Sequence, residues 1–301
     1  MISSLELVGA VLGIGGALMI AVTSLLVRIG TNEGGANDAL VVVLICNVVI
    51  LAPVSLVLYY PTYGLTPTSV VAFAFAGVVG TMLGRVFYFV SIERIGSSRT
   101  DAIKASQPLH ATVIALFVLG ESLTVVHFVG ILLIMFGIAV VSWEITASRK
   151  QDLSRKELLI GLLIPLGASF FYGIEPTLAK IGFAEGTPVI VGLTIKTVVA
   201  MIGFVSYLRY RGILPTLSIS SDENIRWYVA AGVANTTFLG FYYGALELAR
   251  VNIVVPMVQM SPFFVMLLSY FLLPKLERIT LRLASGAVLV VAGAITVVSF
   301  V

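Results

Sequence analysis

Charged residues are scarce in this sequence, and their scarcity excludes a soluble globular protein. Only 11% of the 301 residues are Asp, Glu, Lys or Arg, whereas soluble domains average about 25%. With 59% hydrophobic residues and a mean hydropathy of +1.08, the chain cannot cover itself with a hydrated surface. The apolar runs continue for about twenty residues, the length of a membrane-crossing helix, without the alternating pattern of barrel strands. The composition therefore predicts an all-α integral membrane protein.

Residues that bind metals or form disulfides are nearly absent. The one cysteine, Cys46, lies in an apolar run, and the two histidines, His110 and His127, do not make a metal site on their own. The motifs H-E-x-x-H, G-x-S-x-G, the P-loop and G-x-G-x-x-G are missing. We therefore expect no cofactor, no metal and no enzymatic activity. The net charge of +3 sits mainly in loops, so it indicates membrane orientation rather than a nucleic-acid partner.

Ten membrane spans are predicted, most of them joined by short loops that contain Gly, Pro, Asn or Ser. The spans are Leu5–Val27, Ala39–Tyr59, Ser69–Ile92, Ala102–Leu119, Val125–Trp143, Leu158–Ala179, Val189–Leu208, Trp227–Leu246, Ile253–Leu273 and Leu283–Val301. The longest polar interruption, Glu144–Lys156, follows the fifth span and divides the chain. We expect one five-helix repeat over residues 1–145, a charged linker over 146–156, and a second five-helix repeat over 157–301.

The sequence matches itself in three stretches, which indicates a duplication. At a shift of 152 the matched residues include Gly9, Gly15, Arg28 and Gly34, which fall on Gly161, Gly167, Lys180 and Gly186. At a shift of 154, Tyr88, Glu93 and Pro108 fall on Tyr242, Glu247 and Pro262. At a shift of 156, Glu121, Thr124, Gly130 and Gly137 fall on Glu277, Thr280, Gly286 and Gly293. Because each half has an odd number of spans, the halves would cross the membrane in opposite senses. Such inverted repeats are typical of secondary transporters.

The positive charges favour one orientation of this bundle. If the N-terminus is outside, the inner loops and nearby helix ends collect Arg28, Arg94, Arg99, Arg149, Lys150, Arg155, Lys156, Arg209, Arg211, Arg226, Lys275, Arg278 and Arg282. Only Lys180 and Arg250 remain near the outer helix ends. The positive-inside rule therefore predicts that both termini lie outside.

Ionisable residues inside the spans are the first candidates for a substrate or coupling site, because a charge in a span costs about 2.5–3.5 kcal/mol on insertion scales. They are Arg85, Lys104, His110, Glu175 and Lys196. A desolvated Glu175 is suited to exchange protons near neutral pH. Alternatives are open for each residue. Arg85 and Lys104 are long enough to reach the headgroups, His110 suits a hydrogen-bonded packing role, and Glu175 suits a static ion pair with Lys196 or Arg85.

Neutral polar residues and prolines extend the candidate site. Asn235 and Tyr242 are seven residues apart and share a helix face. Gln107 with Pro108, and Gln259 with Pro262, interrupt the fourth and ninth spans, where we expect kinks facing each other; Pro176 adds a third kink. The glycines spaced by three or four residues, among them Gly9, Gly13, Gly77, Gly80 and Gly84, are assigned to close helix packing without a chemical role.

These features together resemble the drug/metabolite transporter superfamily, in its EamA-like branch. The resemblance rests on Leu119–Thr124, which follows a proline-containing span and precedes Gly130 and Gly137, and on its second copy around Glu277. It implies ten helices in an inverted repeat and a role as exporter or exchanger of small metabolites. This chain departs from the family in lacking basic ends, which usually accompany termini inside. In the small multidrug resistance relatives a carboxylate precedes the matched Lys by two turns, but Ile20 and Tyr172 stand there, so that proton site does not carry over.

We therefore predict a transporter in the plasma membrane that moves a small polar or amphipathic metabolite, such as an amino acid, by alternating access. In this hypothesis Glu175 carries a coupling proton or binds a substrate amine, and Arg85 and Lys196 bind an anionic group. The alternatives are an antiporter of phosphorylated or nucleotide sugars, and a membrane scaffold or intramembrane enzyme. The predicted partners are the substrate, the lipid bilayer and protons, with no nucleic acid.

Overall fold

The computed structural model describes residues 3–31, 36–95, 100, 103–146, 155–214, 224–272 and 281–299, and every regular element within them is helical. In chain order the helices are α1 (Ser4–Gly30), α2 (Ala36–Leu58), α3 (Pro67–Ala76), a π-helix (Gly77–Leu83), α4 (Gly84–Ile95), α5 (Gln107–Val118), α6 (Val125–Thr146), α7 (Arg155–Ala184), α8 (Val189–Tyr210), α9 (Ile225–Leu248), α10 (Val251–Val258), α11 (Ser261–Leu272) and α12 (Leu281–Ser299). The prediction of an all-α chain is confirmed.

Ten helices result when interrupted helices are counted once within the described ranges, and they follow the order of the ten predicted spans. Among the residues that the structure describes, five stretches are long and apolar enough to cross a membrane: Ser4–Gly30, Asp38–Leu58, Pro67–Ile92, Val189–Tyr210 and Val251–Leu268. Ten membrane crossings thus remain a prediction. The limits of the two repeats also remain a prediction, because most of the linker, residues 147–154, lies outside the described residues.

Two helices are interrupted at the repeat-matched prolines. Pro108 lies in the first turn of α5, directly after the turn at Ala105 and Ser106. Pro262 lies in the first turn of α11, after the turn at Gln259 and Met260. A proline is favoured in the first turn of a helix because its missing N–H has no partner to lose there. The expected kinks are therefore short breaks, each followed by a new helix. Helix α7, in contrast, continues through Pro176.

The π-helix between α3 and α4 was not predicted from the sequence. Its wider turn adds a residue to the helix and shifts the direction of every side chain that follows. Arg85 is the second residue after this segment. The direction in which Arg85 points thus depends on a local feature that the apolar pattern of the segment does not encode.

Glycines bring the two halves of the chain into close contact, as the small-residue spacing predicts. A Cβ on Gly130 of α6 would lie 3.0 Å from the carbonyl oxygen of Gly293, and a Cβ on Gly137 would lie 2.6 Å from that of Gly286, both in α12. Because Gly130 matches Gly286 in the repeat and Gly137 matches Gly293, the copies cross antiparallel. In the same way Gly13 of α1 packs on Met257 of α10. The core therefore lies between the halves.

Candidate functional site

A cavity of about 170 Å³ lies near the middle of the bundle, where both halves meet. Every helix of the described part contributes to it except α3, α6 and α12, and the last two pack on each other. Its polar lining consists of Asn47, Thr81, Arg85, Lys104, Gln107, Tyr172, Glu175, Lys196, Thr197, Asn235, Tyr242, Gln259 and Ser261. Six apolar residues complete the wall: Ile20, Leu44, Ala200, Phe238, Leu239 and Val258.

An ion pair from the second half forms one wall of the cavity. The Lys196 ammonium of α8 donates to the Glu175 carboxylate of α7 at 2.5 Å. The same carboxylate oxygen accepts a hydrogen bond from the Tyr243 hydroxyl at 3.1 Å, and the Lys196 Nζ lies 4.7 Å from the centre of the Tyr243 ring. Glu175 and Lys196 are only 6% and 3% exposed. Charges buried this deeply persist when they are paired and hydrogen-bonded, as they are here.

The π-helix of the first half packs directly on this ion pair. A Cβ on Gly77 would lie 2.5 Å from the backbone oxygen of Lys196, and a Cβ on Gly80 would overlap the Glu175 carboxylate. Gly80 was assigned to helix packing alone, and the structure shows that the group it packs on is the buried carboxylate. Only a residue without a side chain lets the helix approach this closely.

The first half contributes two cations to the cavity wall, Arg85 and Lys104. The Arg85 Nη1 atom is buried and has no hydrogen-bond partner. The Lys104 Nζ lies 5.0 Å from the ring centre of Tyr88 and 5.2 Å from that of Tyr172, within the range of cation–π attraction. The described lining thus carries three cations and one carboxylate, and that carboxylate already binds Lys196. The cavity is electropositive.

Amides of both halves meet across the cavity. Asn47 of α2 donates to the Asn235 side chain at 3.0 Å and accepts from Thr236 at 2.8 Å. Gln259 donates to the Gln107 side chain at 3.1 Å, which joins the two breaks that precede α5 and α11. These contacts give the cavity neutral groups able to exchange partners with a polar ligand.

Gln107 also compensates for the proline in α7. Pro176 has no N–H for the carbonyl of Tyr172, one turn earlier in the helix. The Gln107 side-chain nitrogen lies 3.5 Å from that carbonyl oxygen, at the long end of a hydrogen bond. The Tyr172 carbonyl, which Pro176 leaves without its helical partner, therefore faces the Gln107 side-chain donor from the first half.

Eight of the nine predicted site residues line the cavity, and His110 does not. The His110 Nδ1 atom instead lies 3.1 Å from the Ser106 carbonyl oxygen and 3.0 Å from the Ser169 hydroxyl. These contacts fit its alternative interpretation as a packing residue.

Asn47 and Tyr172 line the cavity, and neither is among the site residues predicted from the sequence. The signal for Asn47 was present, since it is an amide inside the apolar run of α2. No three side chains of His, Cys, Asp or Glu come together as a metal site in the described ranges.

Comparison with known proteins gives one family and one fold. The model of the EamA-like transporter family matches residues 7–143 and 159–299, nearly all of the chain in two copies. A solved structure, titled only as the crystal structure of a protein, has a TM-score of 0.77 and 17% identity, over 99% of this chain and 98% of its own. At that identity the likeness shows the fold alone. No curated protein matches the sequence.

Proposed function

Because this chain belongs to the EamA-like transporter family, we propose that it is a secondary transporter that moves a small metabolite carrying a carboxylate or phosphate group by alternating access. Family membership and the apolar helices make the chain a multi-pass membrane protein. The family supports a transporter over a scaffold or an intramembrane enzyme. Export is the direction that the family resemblance implies.

The observation that carries the proposed substrate class is the buried Arg85 Nη1 atom, which has no hydrogen-bond partner. A guanidinium nitrogen buried without an acceptor costs free energy, and an anionic ligand would remove that cost. The Glu175 Oε1 atom accepts from Lys196 and Tyr243, and no hydrogen bond joins Glu175 to the Arg85 Nη1 atom. Our expectation that Lys196 also binds the anion is revised for this conformation, since Lys196 already has its carboxylate. Arg85 and Lys104 are the proposed anion-binding groups.

The size of the cavity supports a substrate on the scale of an amino acid. Its volume of about 170 Å³ is smaller than the roughly 300–1,000 Å³ of sites for drug-sized ligands. Tyr172 and Tyr242 line the cavity with aromatic side chains that suit an apolar part of the substrate, and the amide pairs offer neutral hydrogen bonds. An amino acid or another small carboxylate fits both the volume of the cavity and its aromatic and amide lining. A nucleotide sugar exceeds this volume, which leaves a small sugar phosphate as the second candidate.

The ten-helix inverted repeat and the plasma-membrane orientation are part of this proposal. The antiparallel crossing of Gly130 and Gly137 with Gly293 and Gly286 supports the inverted topology. The bias of positive charge towards the loops opposite the N-terminus supports termini outside. A protease or impermeant label applied to intact cells tests this orientation at either terminus.

The test is binding and transport by Arg85 variants of the purified protein. A thermal-shift screen of amino acids, small carboxylates and sugar phosphates identifies a ligand, and counterflow in proteoliposomes measures its transport. We expect Arg85→Gln to lose at least about tenfold in affinity, since hydrogen bonds to charged groups contribute about 1.5–3 kcal/mol. Arg94→Gln is the matched control, because Arg94 lies on the same helix and is exposed. Equal affinity in wild type and Arg85→Gln protein would refute the anion site.

The coupling ion is tested with Glu175→Gln protein. If Glu175 carries the proton, this variant exchanges substrate but no longer concentrates it in response to a pH gradient. Full pH-driven accumulation by the variant would remove the proton role. Exchange that requires a counter-substrate and ignores pH would favour the sugar-phosphate antiporter.

A further inference from the structure

The loop between α5 and α6 carries the repeat-matched stretch Leu119–Thr124, which the cavity does not use. Its Glu121 is 9% exposed. One carboxylate oxygen accepts from the backbone N–H of Val251 at 2.7 Å, and the other accepts from that of Asn252 at 3.1 Å. These are the first two residues of α10, in the other half of the chain. A carboxylate at a helix N-terminus satisfies N–H groups that have no partner within the helix and opposes the positive end of the helix dipole.

Neighbouring contacts tie the same two places together. The Arg250 side chain donates to Glu6 of α1 at 2.7 Å and to the Ser122 hydroxyl at 3.1 Å. The Asn252 side chain donates to the Ser122 carbonyl oxygen at 2.8 Å. Glu6, Glu121, Ser122, Arg250 and Asn252, here called the latch, all lie at the end of the bundle that carries the N-terminus. Each of these contacts joins the first half to the second.

The helix held by the latch leads directly to the cavity. Val251 to Met257 of α10 are all buried, and Val258 and Gln259, which follow them, line the cavity. Helix α10 therefore fills the space between the latch and the cavity. The part of α10 that is bonded to Glu121 is its first turn, at the end away from the cavity.

We propose that Glu121 is the positioning residue that keeps the cavity closed on the face carrying the N-terminus, by fixing the start of α10; this rests on the alternating access proposed above. Opening that face breaks the two bonds from Glu121 to the Val251 and Asn252 N–H groups. The adjacent charges Lys180 and Arg250 lie near enough to favour the ionised carboxylate. Lys180 is also within reach of Glu6 and Glu247.

The test measures whether water reaches α10, and it needs no substrate. Val254 of α10 is fully buried, so a Val254→Cys reporter in a Cys46→Ala background reacts with a water-soluble maleimide only when α10 moves. In the detergent-purified full chain we expect Glu121→Ala to raise the labelling rate at least tenfold. Glu185→Ala is the matched control. Glu185 accepts from Thr66 across the halves at 2.8 Å, but it is exposed, so we expect its removal to change the rate less than threefold.

A second reporter separates opening from unfolding. Leu208→Cys is the second reporter, because Leu208 of α8 is buried in a separate cluster with Val41, Leu44 and Phe204 that contains no residue of the latch or of α10. Faster labelling at position 254 alone supports the latch. Unchanged labelling at 254, or equal acceleration at 254 and 208, overturns it. Since no ligand is involved, a failed latch leaves the Arg85 result intact, and a chain that transports no anion can still show the latch.

Discussion

The two halves of the chain give the cavity unequal charge. The second half contributes Glu175 and Lys196, which neutralise each other across α7 and α8. The first half contributes Arg85 and Lys104, with no carboxylate among the described residues of the lining. Although the halves share one fold, the second half lines the cavity with the neutralised Glu175–Lys196 pair. The first half lines it with Arg85 and Lys104, here called the cationic wall. The cationic wall is where an anionic ligand gains most, because the buried Arg85 Nη1 atom has no hydrogen-bond acceptor there.

The repeat-matched positions show how the halves diverged. Thr23 and Ser24 stand where the second half has Glu175 and Pro176. Both hydroxyls bond within their own helix, to the carbonyls of Met19 and Ile20 at 2.9 Å. Glu175 instead reaches a neighbouring helix. At the same place in the repeat, the first half therefore has side chains that bond within their own helix, and the second half has a side chain that bonds to another helix.

Breaking the ion pair should have the largest effect. Lys196→Ala leaves the Glu175 carboxylate buried without its cation, which costs about 3–5 kcal/mol in comparable pairs. We expect a large fall in the melting temperature of the purified protein in detergent. The double variant Glu175→Gln/Lys196→Met removes both charges and should recover much of that loss. Arg85→Met is the control from the cationic wall, because the Arg85 Nη1 atom has no hydrogen-bond partner to lose. A cost as large as that of Lys196→Ala would contradict the difference between the halves.

A methyl group on Gly80 should have an intermediate effect, and it tests whether the first half supports the pair of the second. Gly80→Ala places a carbon against the Glu175 carboxylate, and overpacking of this kind costs about 1–3 kcal/mol. Gly240→Ala is the matched control, because nothing lies within 4 Å of a Cβ on Gly240. Melting temperatures in the same detergent compare the two variants. Equal stability of both would mean that the π-helix yields without disturbing the pair.

The pH dependence of stability that comes from Glu121 should be the smallest effect. It contrasts Glu121, which accepts from two backbone N–H groups, with Glu175, which is paired with Lys196. Burial raises the pKa of the Glu121 carboxyl above its ordinary value of 4.5, although the Val251 and Asn252 N–H groups and the charges of Lys180 and Arg250 oppose the shift. A raised pKa in the fold means that the folded chain binds this proton more tightly than the unfolded chain. The stability it contributes is thus fully present below pH 4.5 and is lost as the pH rises through the raised pKa.

Glu121→Gln isolates that contribution, because other groups titrate equally in both proteins. We expect the melting temperature of wild type to fall, relative to that of Glu121→Gln, as the pH is raised from 4.5 towards neutrality. A difference that stays constant with pH, or one of opposite sign, would show that the Glu121 pKa is not raised by burial in the closed latch.

Much of the helical fold can be predicted from the sequence, because the helices depend on local composition and the two halves on a repeat within the sequence. Continuous apolar runs dictate helices in lipid, since only helices satisfy their own backbone there. The matched prolines lie in the first turns of α5 and α11, just after the two breaks. The rarity of charge within the spans also selected the residues Arg85, Lys104, Glu175 and Lys196, all of which line the cavity. Their roles in transport remain predictions.

Only the tertiary structure decided which of these groups are partners. The sequence allowed Glu175 to pair with Lys196 or with Arg85, and it gave His110 a place in the site. Helix rotation and register settle such choices, and a helix that is apolar all round encodes neither in its pattern. The π-helix before Arg85 shifts that residue's direction, and close packing on Gly80 fixes the carboxylate. The latch likewise needs the halves assembled, because Glu121 meets Val251 only across a separation of 130 residues. The sequence by itself determined the helices, the duplication and the candidate charges, and packing between the halves decided which charge stays unpaired.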